Sequence, residues 1–139
     1  MRERELFVRL TFNALISNTD DHPRNHGLVL VAPGRDFELA PAYDLTPNPL
    51  TSVERRDLAL IAGRYNRYAN RENLLSERAR FRLSRDEATV LIDRMKETVE
   101  TRWRPVMRAN GVTERDCRML ARSFWYEGFE LPASTTPLV

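Results

Sequence analysis

Residues 3–17 open the chain with Leu6, Phe7, Val8, Leu10, Phe12, Ala14, Leu15 and Ile16, a run that is apolar on nearly every face of a helix. A helix hydrophobic all round is a buried helix, so this segment demands neighbours on all sides. At 139 residues the chain is long enough for one domain with a real core, unaided by disulfides or metals. The single cysteine, Cys117, excludes an internal disulfide framework and a thiolate zinc cluster, and is expected to be a buried, inert thiol. The start of a domain is rarely apolar all round. Neighbours for the first helix are therefore expected to be missing, or supplied by another chain.

Immediately after this helix, Asn18 to His26 breaks all periodicity with the polar run N-T-D-D-H-P-R-N-H. Pro23 forbids a helix continuing through the preceding turn. Gly27–Val31 then reads as a short strand, Pro33-Gly34-Arg35-Asp36 as a turn, and Phe37–Ala40 as the returning strand of a hairpin. Thr46-Pro47-Asn48-Pro49 admits only loop. Beyond Arg55 the pattern turns helical: Leu58–Ile61 is a short apolar run, and Asn70 is placed to cap a helix over residues 71–81. Ser84-Arg85-Asp86-Glu87 is a capping box opening a long helix with Ala88, Leu91, Ile92, Met95 and Val99 on one face. Trp103–Pro105 is expected to kink or end it, and Asn110-Gly111 to stop it. A last helix starts at Thr113 and runs to about Trp125, with Phe124 and both tryptophans read as core. The reading is one mainly α domain over residues 1–132 with a frayed tail over 133–139.

The polar run carries the chemistry. Asp20 and Asn25 lie five residues apart on an irregular loop after a buried helix. The hairpin follows directly, and its second strand leads into a second acid, Asp44. A phosphoryl-transfer kinase has these parts in this order. The first aspartate accepts a hydrogen bond from the attacking hydroxyl and takes its proton late in a loose transition state. The asparagine offers magnesium a neutral amide oxygen, and the second aspartate holds the metal against the β- and γ-phosphates. A bare D-x-x-x-x-N is most often a set of turn residues bonding their own backbone. Here the helix before it, the hairpin after it and the Tyr43-Asp44 exit make the constellation specific.

Asn18-Thr19-Asp20-Asp21-His22-Pro23-Arg24-Asn25-His26-Gly27, with Leu39-Ala40-Pro41-Ala42-Tyr43-Asp44-Leu45, resembles the catalytic half of HipA-like serine/threonine kinases, the toxins of bacterial type II toxin–antitoxin modules. The resemblance covers most of the chain, more loosely beyond Leu58. It implies the helical C-lobe of a protein-kinase-like, lipid-kinase-related fold, with a short β-hairpin beside the catalytic loop. It implies ATP as substrate and Mg2+ as cofactor, Asp20 as catalytic base, and Asn25 and Asp44 as metal ligands. Asn18, His22 and Arg24 fall in the supporting catalytic loop. His22 is read as bracing that loop, Arg24 as facing phosphate or solvent, and Asp21 as structural. The partners implied are a protein substrate, an aminoacyl-tRNA synthetase among the known ones, and a DNA-binding antitoxin of the HipB type. A zinc site on His22 and His26 is a weaker alternative, because Pro23 disrupts the helix that would bring both rings to one face.

Composition then identifies what such a kinase would lack. Of 22 basic residues 21 are arginine, and the one lysine, Lys96, falls on a late amphipathic helix. A kinase holds the α- and β-phosphates with a lysine and a glycine-rich loop upstream of its catalytic aspartate. Only 19 residues precede Asp20, with no glycine among them. Arginine's planar fork is a poor substitute for that lysine. The expectation is a catalytic half without its nucleotide lobe, inactive alone, or else a non-catalytic partner-binding module or a relic. The net charge of +2 is spread over arginines scattered among acids, so no direct nucleic-acid contact is expected. No apolar run approaches the ~18 residues of a membrane span. The acidic start does not resemble a signal peptide, and a cytoplasmic protein is expected.

Overall fold

The structure, a computed structural model, describes residues 2–32, 34 and 36–135. Pro33 and Arg35 of the hairpin turn, and residues 136–139 of the expected frayed tail, lie outside the described residues. The architecture is mainly helical, with one small antiparallel sheet. Helix α1 spans Arg2–Ile16, and a single 3-10 turn follows at Pro23–Asn25. Strands β1 (Leu28–Ala32) and β2 (Asp36–Leu39) pair with Leu28 opposite Leu39, and the register is irregular between Leu30 and Ala32. Three helices follow: α2 (Arg71–Ser76), α3 (Arg85–Ala109) and α4 (Glu114–Leu120).

Helix α1 is the spine, as its composition requires. Phe7, Leu10, Ala14, Leu15 and Ile16 are buried against Leu74, Ala88, Ile92, Phe124 and Phe129 in one continuous core. Phe7 meets Phe81 edge-on at 5.4 Å, and Trp103 stacks on Phe124 at 4.4 Å. The enclosure is complete only from Asn13 onward. Val8 and Phe12 are half-buried, so the expectation of neighbours on every side is met at the C-terminal half of α1 and not at its outer flank. Cys117 is buried.

The expected cap at Asn70 is present: its side chain accepts from the Asn73 amide. So is the capping box, in which Ser84 Oγ accepts from the Glu87 amide at 3.2 Å and Glu87 returns the bond to the Ser84 amide at 2.8 Å. Ser84→Ala removes one half of that exchange at an exposed site. It is expected to cost about 1 kcal/mol in a denaturant melt, with the fold unchanged.

Four elements differ from expectation. Residues 55–70 are not helical; they fold back on themselves through Leu58 N–H to Arg67 O (2.7 Å) and Ala69 N–H to Arg56 O (2.8 Å). The cause is non-local: Gly63 lies so close to α2 that a Cβ there would sit 2.1 Å from the Asn73 carbonyl oxygen. Helix α2 stops at Ser76 rather than continuing to Phe81. Ser76 Oγ donates to Asn73 O (2.6 Å) and accepts from the Arg64 amide (2.9 Å), offering the backbone an alternative to the helical ladder. Helix α3 runs through Pro105 to Ala109, because Trp103 and Met107 on either side are held against the core. It then ends where expected, with Gly111 at φ 85. Helix α4 ends at Leu120, five residues short of Trp125, since the carbonyls of Arg122 and Ser123 turn away to an arginine described below. Within the tail, Ala133 is buried and its amide donates to Glu72 Oε2 at 2.7 Å, so folded structure reaches at least that residue.

Candidate active site

The site is built from the buried end of α1. Ser17 takes the left-handed conformation (φ 57), and the Asn18 amide closes back on Asn13 O at 2.9 Å. This is the Schellman closure, with serine where glycine is usual. The hydroxyl accounts for the choice: Ser17 Oγ donates to Ser123 O and accepts from Arg56 Nη1, both at 2.5 Å. Two other buried carbonyls at this helix end are also satisfied, Leu15 O by the Trp125 amide (2.9 Å) and Ser17 O by the Asn48 amide (3.2 Å). The polar loop therefore leaves α1 from a fixed point.

Asn18 is the next link. It is 2% exposed, and its Nδ2 donates to Asn13 Oδ1 (3.1 Å) and to the Asp44 carbonyl (3.3 Å). That second bond ties the start of the loop to the acid beyond the hairpin. Asp44 itself sits at φ 58, a left-handed conformation that aspartate tolerates better than most residues. Asp20, Asp44, Asn18, Thr19 and Thr46–Pro49 line one open cleft of about 310 Å³. Both acids are exposed, and neither carboxylate makes a hydrogen bond among the described residues. Two residues with uncommitted carboxylates, 24 residues apart in sequence, thus line one cavity.

Asn25 is buried beside Asp20 and is not among the residues lining the cleft. Its Nδ2 donates to the Asp20 carbonyl at 3.3 Å, which leaves Oδ1 as the uncommitted end of the amide. Arg24 is exposed and contributes its backbone: Tyr43 Oη donates to Arg24 O at 2.6 Å, clamping the loop to the residue before Asp44. His22 braces the loop through its backbone, its N–H donating to Asp20 O and its carbonyl accepting from the Asn25 amide, both at 2.9 Å, while its ring Nδ1 is buried without a partner. The histidine that braces through its ring is His26, whose Nε2 lies 2.7 Å from Asp21 Oδ1. Asp21 is 2% exposed, so its structural reading agrees with its place.

Sequence reasoning missed three contributors. Asn48 forms the far wall, with Nδ2 donating to Thr19 Oγ1 at 3.0 Å. A lone asparagine between Pro47 and Pro49 was its only signal. Arg56 carried none, because Ser17, Arg122 and Ser123 are distant in sequence, and Asn13 reads only as a polar interruption of an apolar helix, although its partner Asn18 is close by.

The two metal ligands implied by the resemblance, the Asp44 carboxylate and Asn25 Oδ1, are oxygen donors of the kind a hard divalent cation takes, although of the two only Asp44 lines the cleft. No group of three or more His, Cys, Asp or Glu able to hold a metal occurs among the described residues. Magnesium keeps several waters and takes one or two carboxylates plus phosphate oxygens, which is the chemistry Asp44 and Asn25 would offer it. A zinc held by His22 and His26 would lack a third protein ligand among the described residues. No helix among the described residues is long and apolar enough to cross a membrane.

A family model described as HipA-like C-terminal domain matches residues 2–103. The match takes in α1, the polar loop, the hairpin and every residue of the cleft, and ends inside α3. No curated protein and no solved structure matches the chain.

Proposed function

From the premise that this chain belongs to the HipA-like C-terminal domain family, we propose that it is the catalytic and magnesium-binding half of an ATP-dependent serine/threonine protein kinase. The reading rests on one observation above the rest: Asp20 and Asp44 line a single cleft with uncommitted carboxylates, and Asn18 fixes one relative to the other. Asp20, the exposed acid on the loop, accepts the hydrogen bond of the attacking protein hydroxyl and takes its proton. Asn25 Oδ1 and the Asp44 carboxylate would hold magnesium, which when bound neutralises the charge on the transferring phosphate. Asn18 and Asn48 keep the two sides of the cleft at a fixed separation. By family, the partner is an antitoxin of the HipB type, and the substrate class is a protein hydroxyl, with aminoacyl-tRNA synthetases as candidates.

Lys96 does not serve the nucleotide. Its Nζ lies 3.1 Å from Glu130 Oε1 and 4.8 Å from the Trp125 ring centroid, and neither residue lines the cleft. On this reading the phosphate-holding lysine would come from a separate nucleotide lobe, and the chain alone is expected to bind ATP weakly or not at all and not to turn over. Phosphate transfer from radiolabelled ATP by the chain alone, lost on Asp20→Ala, would overturn that part.

The metal reading is tested by titrating magnesium with a non-hydrolysable ATP analogue in a calorimeter. Saturable binding is expected, weakened more than about tenfold by Asp44→Asn, the loss that even an outer partner of a metal ligand brings. Absence of saturable binding would favour a non-catalytic partner-binding module. One observation leans that way: the hairpin exposes apolar side chains on both faces, with Leu28 61%, Leu30 55% and its cross-strand partner Phe37 47% exposed on one and Val29 42% on the other.

A further inference from the structure

The outer flank of α1 is open, and with α3 it forms a groove that shares no lining residue with the catalytic cleft. One stretch, about 300 Å³, is lined by Val8 and Phe12 of α1 and by Leu91, Met95 and Val99 of α3. The next, about 240 Å³, shares Phe12 and Val99 and continues with Ile16, Trp103, Val106 and Phe124. Val8 shares its end with Leu91 and Ile16 shares the other with Trp103, so the two helices run in the same direction. From Leu91 to Val106 the trough covers about 22 Å at 1.5 Å per residue. That is about four helical turns.

Its charge is one-sided. Arg94 and Arg102, two turns apart on α3, are the only charged residues lining either stretch. Both are exposed, and neither makes an ion pair among the described residues. Arg71, on a neighbouring helix, is by contrast matched with Asp93 and Glu130. An apolar trough of helical length, edged by two unmatched cations, complements an amphipathic helix with acids beside its apolar ridge.

We propose that the α1–α3 groove is a docking site for an acidic amphipathic helix of a protein partner, seated between Val8 and Val106 with its carboxylates facing Arg94 and Arg102. The inference is independent of the kinase reading, since it uses no residue of the cleft. Side chains at i, i+3, i+4 and i+7 of such a helix would enter the pockets flanking Phe12 and Val99. The two arginines would set its register and reject a basic helix.

The test uses two synthetic peptides of about sixteen residues, identical in their leucine ridge, one flanked by glutamates and one by lysines. Each is titrated into the full chain by calorimetry. Trp103 emission is followed in a Trp125→Phe background. The glutamate peptide is expected to bind with a shift in Trp103 emission, and the lysine peptide at least about tenfold more weakly. Arg94→Glu/Arg102→Glu alters only exposed side chains and is expected to invert that preference without lowering the melting temperature. Equal affinity for the two peptides, or no binding of either, would overturn the proposal. So would concentration-dependent dimerisation that shifts Trp103 emission without peptide, because the groove would then belong to a second copy of the chain.

Discussion

Arg56→Met is expected to lower folding stability by about 4 kcal/mol, on the order of a thousandfold in the unfolding equilibrium. Arg56 is 3% exposed and none of its partners is a carboxylate. Nε donates to Ser52 O (2.8 Å), Nη1 to Ser17 Oγ (2.5 Å) and Ser123 O (3.3 Å), and Nη2 to Arg122 O (2.7 Å). The guanidinium also lies 4.2 Å from the Tyr126 ring centroid. Burial pulls its pKa below the usual arginine value, and the same burial pushes the Tyr126 hydroxyl up. Methionine can replace the aliphatic stem but supplies no donor, so oxygens from three separate segments lose their partner out of reach of water. Such a loss takes most of the stability of an ordinary domain. Arg56→Lys keeps a charge and loses the fork, and is expected to recover less than half of it. A denaturant midpoint within about 1 kcal/mol of the parent for Arg56→Met would mean that water replaces the guanidinium, and that the network is not structural.

This network also marks the limit of what the amino-acid order reveals. Local signals were reliable: the apolar run of α1, the Asn70 cap, the Ser84–Glu87 capping box and the Asn110-Gly111 stop each act within four residues, and each forms as written. Two of the expectations that differed concern segments whose partner is remote. Residues 55–70 lose the helix their composition suggests because Gly63 is pressed on Asn73, and α4 is shortened because Arg56 takes the carbonyls of Arg122 and Ser123. The candidate site divides the same way. Asp20 and Asp44 were legible from residue type and order, and they do share a cleft. The residues that fix them there, Asn18 through its buried amide and Asn48 through Thr19, have roles visible only once the chain is folded. His22 and His26 show how fine the margin is: two similar rings in one motif, of which the structure pairs only the second with Asp21.

Asn18→Ala is expected to damage fold and site together, and the coupling is what distinguishes it. The amide bridges Asn13 Oδ1 and Asp44 O at 3.1 and 3.3 Å, and both acceptors would be left without it. Asn13 Nδ2 is already buried without a partner, so losing Asn18 would leave both ends of the Asn13 amide unsatisfied. A loss of about 3 kcal/mol is expected from the vacated bonds. Asp44 then loses the contact that holds its backbone at φ 58, a conformation that costs roughly 1 kcal/mol. Released toward an ordinary extended geometry, its carboxylate would leave the position from which it shares the cleft with Asp20. Magnesium affinity is therefore expected to fall by about tenfold or more, under conditions where calorimetry or circular dichroism shows the variant still folded. Ser84→Ala supplies the control, since it weakens α3 at an exposed cap remote in sequence from the cleft and is expected to leave magnesium affinity unchanged. If Asn18→Ala lost stability while keeping full affinity, the bond to Asp44 would be a packing contact alone, and Asp44 would be held in the cleft by the Tyr43 clamp on Arg24 instead.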